Sequence, residues 1–213
     1  MSDRILSPCI YVIAGTNGAG KSSIAGAMFV QHGVEYFNPD EIAKSIQVSD
    51  PGLRPDEANA VAWSEGKRLL ERAIAERSSY AFETTLGGRT IASLLETALS
   101  RGMDVRVWYV GLNSVELHLA RVRARVARGG HAIPETLIRE RYDRSRLNLI
   151  QLLPKLTEVR IYDNSAEADP HTDASPRLKM VLHMIRGKVI ETCNLRKVPK
   201  WAKPILAAAL KRK

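Results

Sequence analysis

The 213-residue chain has only two cysteines, Cys9 and Cys193, far apart in sequence. It therefore carries no disulfide framework, and a reducing, cytoplasmic location is expected. Cys9 sits inside an apolar run and reads as a core residue, not a nucleophile. No run of about eighteen apolar residues occurs, which excludes a membrane-spanning helix. The opening Met1-Ser2-Asp3-Arg4 has no signal-peptide pattern. Aromatic residues are only 6% of the chain and few are clustered as base stacking would need, which weighs against a nucleic-acid partner. Internal repeats and low-complexity tracts are missing too. What remains, at 45% apolar, has the size and composition of one α/β domain with room for a small appendage.

Charge is where the composition departs from the ordinary. The net charge is +9. Such a chain suits nucleic acid, an acidic membrane surface or a highly charged small substrate. Between Arg121 and Arg146 lie eight arginines against three acids, and a second basic cluster runs from Arg196 to Lys213. The first cluster contains no lysine, and arginine's planar fork favours phosphate clamping over general solubility.

The most informative segment is Gly15-Thr16-Asn17-Gly18-Ala19-Gly20-Lys21-Ser22, a complete G-x-x-x-x-G-K-S phosphate-binding pattern. The apolar run Cys9 to Ala14 before it reads as a buried strand, and Ser23 to Val30 after it reads as a helix start. Glycines in such a loop let successive backbone N–H groups converge on phosphate oxygens, and the helix N-terminus adds partial positive charge. Lys21 can reach the β- and γ-phosphates, and Ser22 can hold magnesium.

Further strands are expected over 34–37, 79–83, 103–110 and 158–162, with helices over 55–77, 89–100, from 114 to the Gly129-Gly130 pair, and from Pro134 to about 153. Alternating strands and helices imply a mainly parallel sheet covered on both faces, with ligands beyond the carboxyl ends of the strands. That rule places 15–22, 38–41, 83–85 and 163–164 along one edge. A loop over 167–176, a hairpin over 177–192 and a basic amphipathic helix from Trp201 to Lys213 complete the chain.

Asp40 is positioned to take a proton from an acceptor hydroxyl, or to cap the helix it opens. Glu83, ending a strand, can assist magnesium through water or bind substrate hydroxyls, beside the hydroxyl of Thr85. Arg121, Arg125 and Arg128 fall on one helix face. With Arg139, Arg141, Arg144 and Arg146 beyond the glycine pair, they read as a mobile lid over phosphates. His131 can bind phosphate or shape the turn. Trp63 and Glu65 can offer a stacking surface and a hydroxyl partner, or a half-buried Trp and a surface acid. Asp163-Asn164 lies near a nucleotide base or makes a turn.

Taken in order, Gly15 to Ser22, Asn38-Pro39-Asp40-Glu41, Phe82-Glu83-Thr84-Thr85, Arg121 through Gly129-Gly130-His131, and Tyr162-Asp163-Asn164-Ser165 resemble the bacterial zeta-toxin family. The resemblance runs from about residue 9 to 166. It implies a P-loop kinase fold, a three-layer α/β sandwich with an arginine-rich lid over about 114–153. It further implies a kinase domain over 1–170 and a hairpin-plus-helix appendage over 171–213 packed on it. It implies ATP and magnesium, with phosphorylation of a hydroxyl of UDP-N-acetylglucosamine or a related nucleotide sugar. Carried over, Gly15 to Ser23 cradle ATP, Lys21 holds its phosphates and Ser22 the magnesium ion. Asp40 becomes the general base, and Asn38, Glu83, Thr85 and His131 line the substrate side. Arg121 or Arg125 matches one phosphate-clamping arginine. The other falls near His131, with Arg128 the closest arginine. Glu65 is a loose match to a substrate-binding acid. The chain begins almost directly with its first strand, so an antitoxin is expected as a separate chain. Two other readings stay open: a nucleic-acid 5′-hydroxyl kinase, and an ATP-binding switch acting through a partner.

Overall fold

The computed structural model describes residues 7–22, 36–166 and 178–211. The helix expected from Ser23 and the loop expected over 167–176 lie outside the described residues. In chain order the elements are β1 (Cys9–Ala14), β2 (Tyr36–Phe37), α1 (Pro39–Ser49), α2 (Pro55–Glu76), β3 (Tyr80–Thr84), α3 (Arg89–Ser100), β4 (Asp104–Gly111), α4 (Val115–Val126), α5 (Glu135–Leu152), β5 (Glu158–Asp163), β6 (Lys179–Ile185), β7 (Lys188–Thr192) and α6 (Lys203–Leu210).

All seven strands join one sheet in the order β2-β3-β1-β4-β5-β6-β7. The first five are parallel to their neighbours. The hairpin β6–β7 continues the sheet antiparallel beyond β5. Strand periodicity sorts the apolar residues onto two faces. Ile10, Val12 and Ala14 of β1, Val105, Val107 and Tyr109 of β4, and Val159 and Ile161 of β5 pack with α3, α5 and α6 through Leu95, Leu149, Leu152, Ile205 and Leu206. On the opposite face Ile13, Ala81 and Trp108 cluster with Tyr11, Tyr36 and Tyr162. β1 is thus apolar toward both sides, as a central parallel strand must be. Among the described residues no helix is long and apolar enough to cross a membrane.

Two local readings are corrected. The cap of α1 is Asn38, whose side chain accepts from the Asp40 backbone N–H, so Asp40 does not cap the helix. The terminal helix does not start at Trp201. Trp201 lies in a 3₁₀ turn, Lys200–Ala202, and the α-helix runs from Lys203 to Leu210. Pro204 explains the boundary, since a residue without a backbone N–H fits only the first helical turn.

α2 lies so close to β2 that a Cβ on Gly66 would stand 2.6 Å from Phe37 Cε1. Helix propensity favours alanine at Gly66 by about 1 kcal/mol. Displacing the Phe37 ring is expected to cost about 1–3 kcal/mol, so Gly66→Ala should lower the urea midpoint. A raised midpoint would show that the contact is loose.

Candidate active site

The phosphate loop leaves β1 at Gly15 and turns at the end of β4. Gly15 has φ +143° and approaches Val110 so closely that a Cβ would meet its carbonyl oxygen at 2.1 Å. Only glycine fits both constraints. Thr16, Asn17 and Lys21 are buried polar residues, and each is tied down. The Thr16 hydroxyl donates to the Arg141 carbonyl at 3.4 Å. The Asn17 side-chain oxygen accepts from Arg141 Nη1 at 2.9 Å. The Asn17 carbonyl accepts from His118 Nδ1 at 2.8 Å. A carbonyl only accepts, so Nδ1 carries the hydrogen. Asn164 Nδ2 donates to the Ala19 carbonyl at 2.9 Å.

At the loop's far end one carboxylate gathers three groups. Glu83, 8% exposed at the end of β3, accepts from Ser22 Oγ at 2.9 Å and from the Tyr36 hydroxyl at 2.7 Å. It also pairs with Lys21 Nζ at 3.4 Å. Burial, with the adjacent Glu83 carboxylate, pushes the Tyr36 phenol far above its usual range, so it remains a donor. Thr85 sits two residues further along the chain, and its side-chain oxygen accepts from the Gly87 N–H at 3.4 Å.

Beside Ser22 opens a cavity of about 230 Å³ whose walls include Asn38, Asp40, Asn59, Arg125 and His131. Asp40 faces it from the first turn of α1 and pairs with Arg125 Nη1 at 3.0 Å. Arg125 Nη2 donates to the His131 carbonyl at 3.2 Å. Asn59 on α2 reaches His131 Nε2 at 3.1 Å. A neighbouring cavity of about 380 Å³ is lined by Lys44, Arg121, Arg125 and Arg128. A larger cavity, about 620 Å³ between α3 and α5, touches neither Asp40 nor the phosphate loop, so volume does not pick out the site.

The structure therefore brings Asp40, Asn38, Arg125, His131 and Ser22 to one cavity, and Ser22 links it to Glu83, which pairs with Lys21. Arg121 donates to the Ala166 carbonyl at 3.3 Å, and Arg128 is exposed. Glu65 is not brought in: it binds Arg68 on its own helix through both carboxylate oxygens, and α2 sends Asn59 to the cavity instead. Ser23 lies outside the described residues. The two arginine-bearing helices differ in how they are held. α5 is buried through Ile138, Ser145, Leu149 and Leu152. It also holds the loop after β3, with Ser145 Oγ donating to the Thr85 carbonyl at 2.6 Å and Asn148 to those of Leu86 and Gly88.

Sequence reasoning missed Tyr36, Asn59 and His118 as site residues and left Arg141 within a general charge run. No pattern marks the first three, because each acts through a partner distant in sequence. Arg141 was visible only as one arginine among eight.

A glycine-shaped phosphate loop, a buried lysine, and a carboxylate in a cavity beside the loop's serine, all at the carboxyl ends of the parallel strands, are the features of a P-loop kinase fold. The chain belongs to the zeta-toxin family, whose model matches residues 1–174. An uncharacterized protein of Haemophilus influenzae is 37% identical over 129 residues, covering 60% of this chain and 88% of that protein. Among solved structures, the AvrRxo1-ORF1:ORF2 complex with ATP superposes with a TM-score of 0.67 at 17% identity over 91% of this chain. This chain spans only 64% of the AvrRxo1 chain's length. The PezAT chromosomal toxin–antitoxin system of Streptococcus pneumoniae matches with a TM-score of 0.61 at 14% identity, over 97% of this chain and 85% of that one. At such identities these likenesses establish the fold.

Burial pushes the His118 imidazole down to about 4 from 6.5; the Asn17 bond opposes this, while Lys21, Arg121 and Arg146 reinforce it. The unfolded chain protonates this histidine below 6.5, and the folded chain stays neutral down to about 4. Its stabilisation is thus complete above pH 6.5 and is lost as pH falls through that window, by about 1.4 kcal/mol per pH unit. His118→Asn keeps a donor for the Asn17 carbonyl and removes the titration. Urea unfolding between pH 6.5 and 4 should show that much shallower a slope in the variant. Equal slopes would contradict a neutral buried His118.

Proposed function

We propose that the chain is an ATP-dependent phosphotransferase that moves the γ-phosphoryl group onto a hydroxyl of UDP-N-acetylglucosamine or a related nucleotide sugar, with Asp40 as general base. The observation that carries this reading is the cavity placing Asp40, Asn59, Arg125 and His131 against Ser22 of the phosphate loop.

Asp40 takes the proton of the acceptor hydroxyl as its oxygen forms the new bond to the γ-phosphorus. The bond from that phosphorus to the β–γ bridging oxygen breaks, and ADP leaves with the electron pair. Lys21 and the backbone N–H groups of the loop hold the phosphates, and Arg125 is placed to clamp the transferred group. Asn38, Asn59 and His131 offer polar groups to orient the acceptor.

Ser22 and Glu83 present a hydroxyl and a carboxylate within 2.9 Å of each other, an oxygen pair suited to magnesium. An ion held there would share its coordination with the substrate phosphates. When bound, magnesium supplies neutralisation of phosphate charge. An antitoxin chain is the proposed protein partner, as the PezAT match suggests. The proposed setting is cytoplasmic.

The test is a mass-spectrometric acceptor screen with ATP and magnesium against nucleotide sugars, nucleosides and a 5′-hydroxyl oligonucleotide. A phosphate-mass gain on a nucleotide sugar is expected. A gain confined to the oligonucleotide would replace the acceptor assignment, and no transfer beside tight ATP binding would favour a switch. Asp40→Asn should keep ATP binding and lose transfer by about 10²–10⁴-fold. Lys21→Ala should weaken ATP binding and abolish transfer. Wild-type turnover in Asp40→Asn would remove Asp40 as the base.

A further inference from the structure

Trp201 lies beyond residue 174, where the family match stops, yet it reaches the nucleotide edge of the sheet. It is 2% exposed. Its indole N–H donates to Asp163 Oδ1 at 2.9 Å, and the Ser165 hydroxyl donates to the same oxygen at 2.5 Å. Asp163 ends β5, so fixing its side chain fixes the direction in which the chain enters Asn164. The Asn164 N–H donates to the Gly111 carbonyl at 3.0 Å, and its side-chain amide reaches the Ala19 carbonyl.

The indole also rests directly on the sheet backbone. A Cβ at Gly111 would stand 2.4 Å from Trp201 Cη2. The adjacent Tyr109 ring lies 6.0 Å away, centroid to centroid. The Tyr109 hydroxyl donates to Ser145 Oγ at 2.9 Å, which in turn donates to the Thr85 carbonyl. Arg146 Nη1 completes the seat by donating to the Trp201 carbonyl at 3.4 Å.

The target of the polar route is a soft point. Ala19 stands between Gly18 at φ +82° and Gly20 at φ +87°, so side-chain sterics of its neighbours do not set the orientation of its peptide. In a trans peptide the carbonyl and the following N–H point to opposite sides. Holding the Ala19 oxygen on Asn164 therefore turns the Gly20 N–H the other way, as a phosphate cradle requires.

We propose that Trp201 is a positioning residue for the phosphate loop, acting through Asp163 and Asn164 on the peptide between Ala19 and Gly20. The C-terminal segment is in this sense part of the nucleotide site. The inference rests on the phosphotransferase reading only for the choice of ATP as probe.

The experiment uses the full chain and measures the dissociation constant for ATP with magnesium. Trp201→Phe keeps a ring against Gly111 and Tyr109 but removes the donor. Asp163→Ala removes the acceptor without touching the buried indole, and so serves if the Phe variant does not fold. Each is expected to weaken ATP about tenfold. Asp163→Asn, which retains an acceptor oxygen, should restore near wild-type affinity. Combining Trp201→Phe with Asn164→Ala should weaken ATP no further than the stronger single change, because both cut one path. Wild-type affinity in Trp201→Phe or Asp163→Ala, or multiplicative losses in the double variant, would overturn the proposal and leave Trp201 a packing residue that moves only the urea midpoint. A second readout needs no nucleotide. The Asn164 side-chain amide should be protected from hydrogen exchange in the wild type and exposed in Trp201→Phe. Unchanged protection would refute the path. A wild type that fails to bind ATP would sink the functional reading while this readout still decides the role of Trp201.

Discussion

The buried carboxylate of Glu83 is the constraint on which the site depends. An ammonium and a carboxylate removed from water together cost several kcal/mol unless their geometry satisfies both. Here the cost is offset by convergence: Lys21 and Ser22 from the phosphate loop and Tyr36 from β2 meet on one side chain of β3. The sheet register makes this possible. Glu83 stands beside Ile13 on β1, so the chain that leaves β1 after Ala14 returns over the end of β3. β2 pairs with β3 through Tyr36 and Phe37, which delivers the tyrosine hydroxyl to the same point.

The second constraint is the bracing of the loop from the other side. α4 contributes His118 and α5 contributes Arg141, and both take hold of Asn17. α5 also holds the loop after β3, so one helix braces the phosphate loop and the chain leaving β3 together. Arg125 is the arginine that faces Asp40, carried on α4 one turn before the glycine pair. Charge attraction and core packing are thus divided between the two helices of the expected lid. α4 presents arginines to the cavity, and α5 spends much of its surface anchoring the site to the core.

Much of this was legible in the sequence where chemistry is local. The phosphate loop announces itself because its glycines and lysine are consecutive, and the alternation of apolar strands and helices implies the parallel sheet and its ligand edge. Asp40 could be read as base or cap, because acids favour both places. Only the side-chain geometry of Asn38 decides that another residue caps the helix. Tyr36, Asn59 and His118 were invisible for a different reason. Their roles come from partners 47, 72 and 101 residues away, a relation no short-range pattern encodes. Glu65 has the right residue type on the right helix, but Arg68 at i+3 captures it.

In the proposed kinase reading, Glu83 organises Lys21 and Ser22 for a magnesium-bound nucleotide. The most direct measurement is ATP affinity with and without magnesium for the wild type and Glu83→Gln. Gln retains an acceptor for the Ser22 and Tyr36 hydroxyls but cannot neutralise Lys21 or bind a divalent ion well. Magnesium is expected to tighten ATP binding in the wild type; in Glu83→Gln this enhancement should disappear and affinity with magnesium should fall by about tenfold or more. The same magnesium-linked affinity in both proteins would contradict this reading.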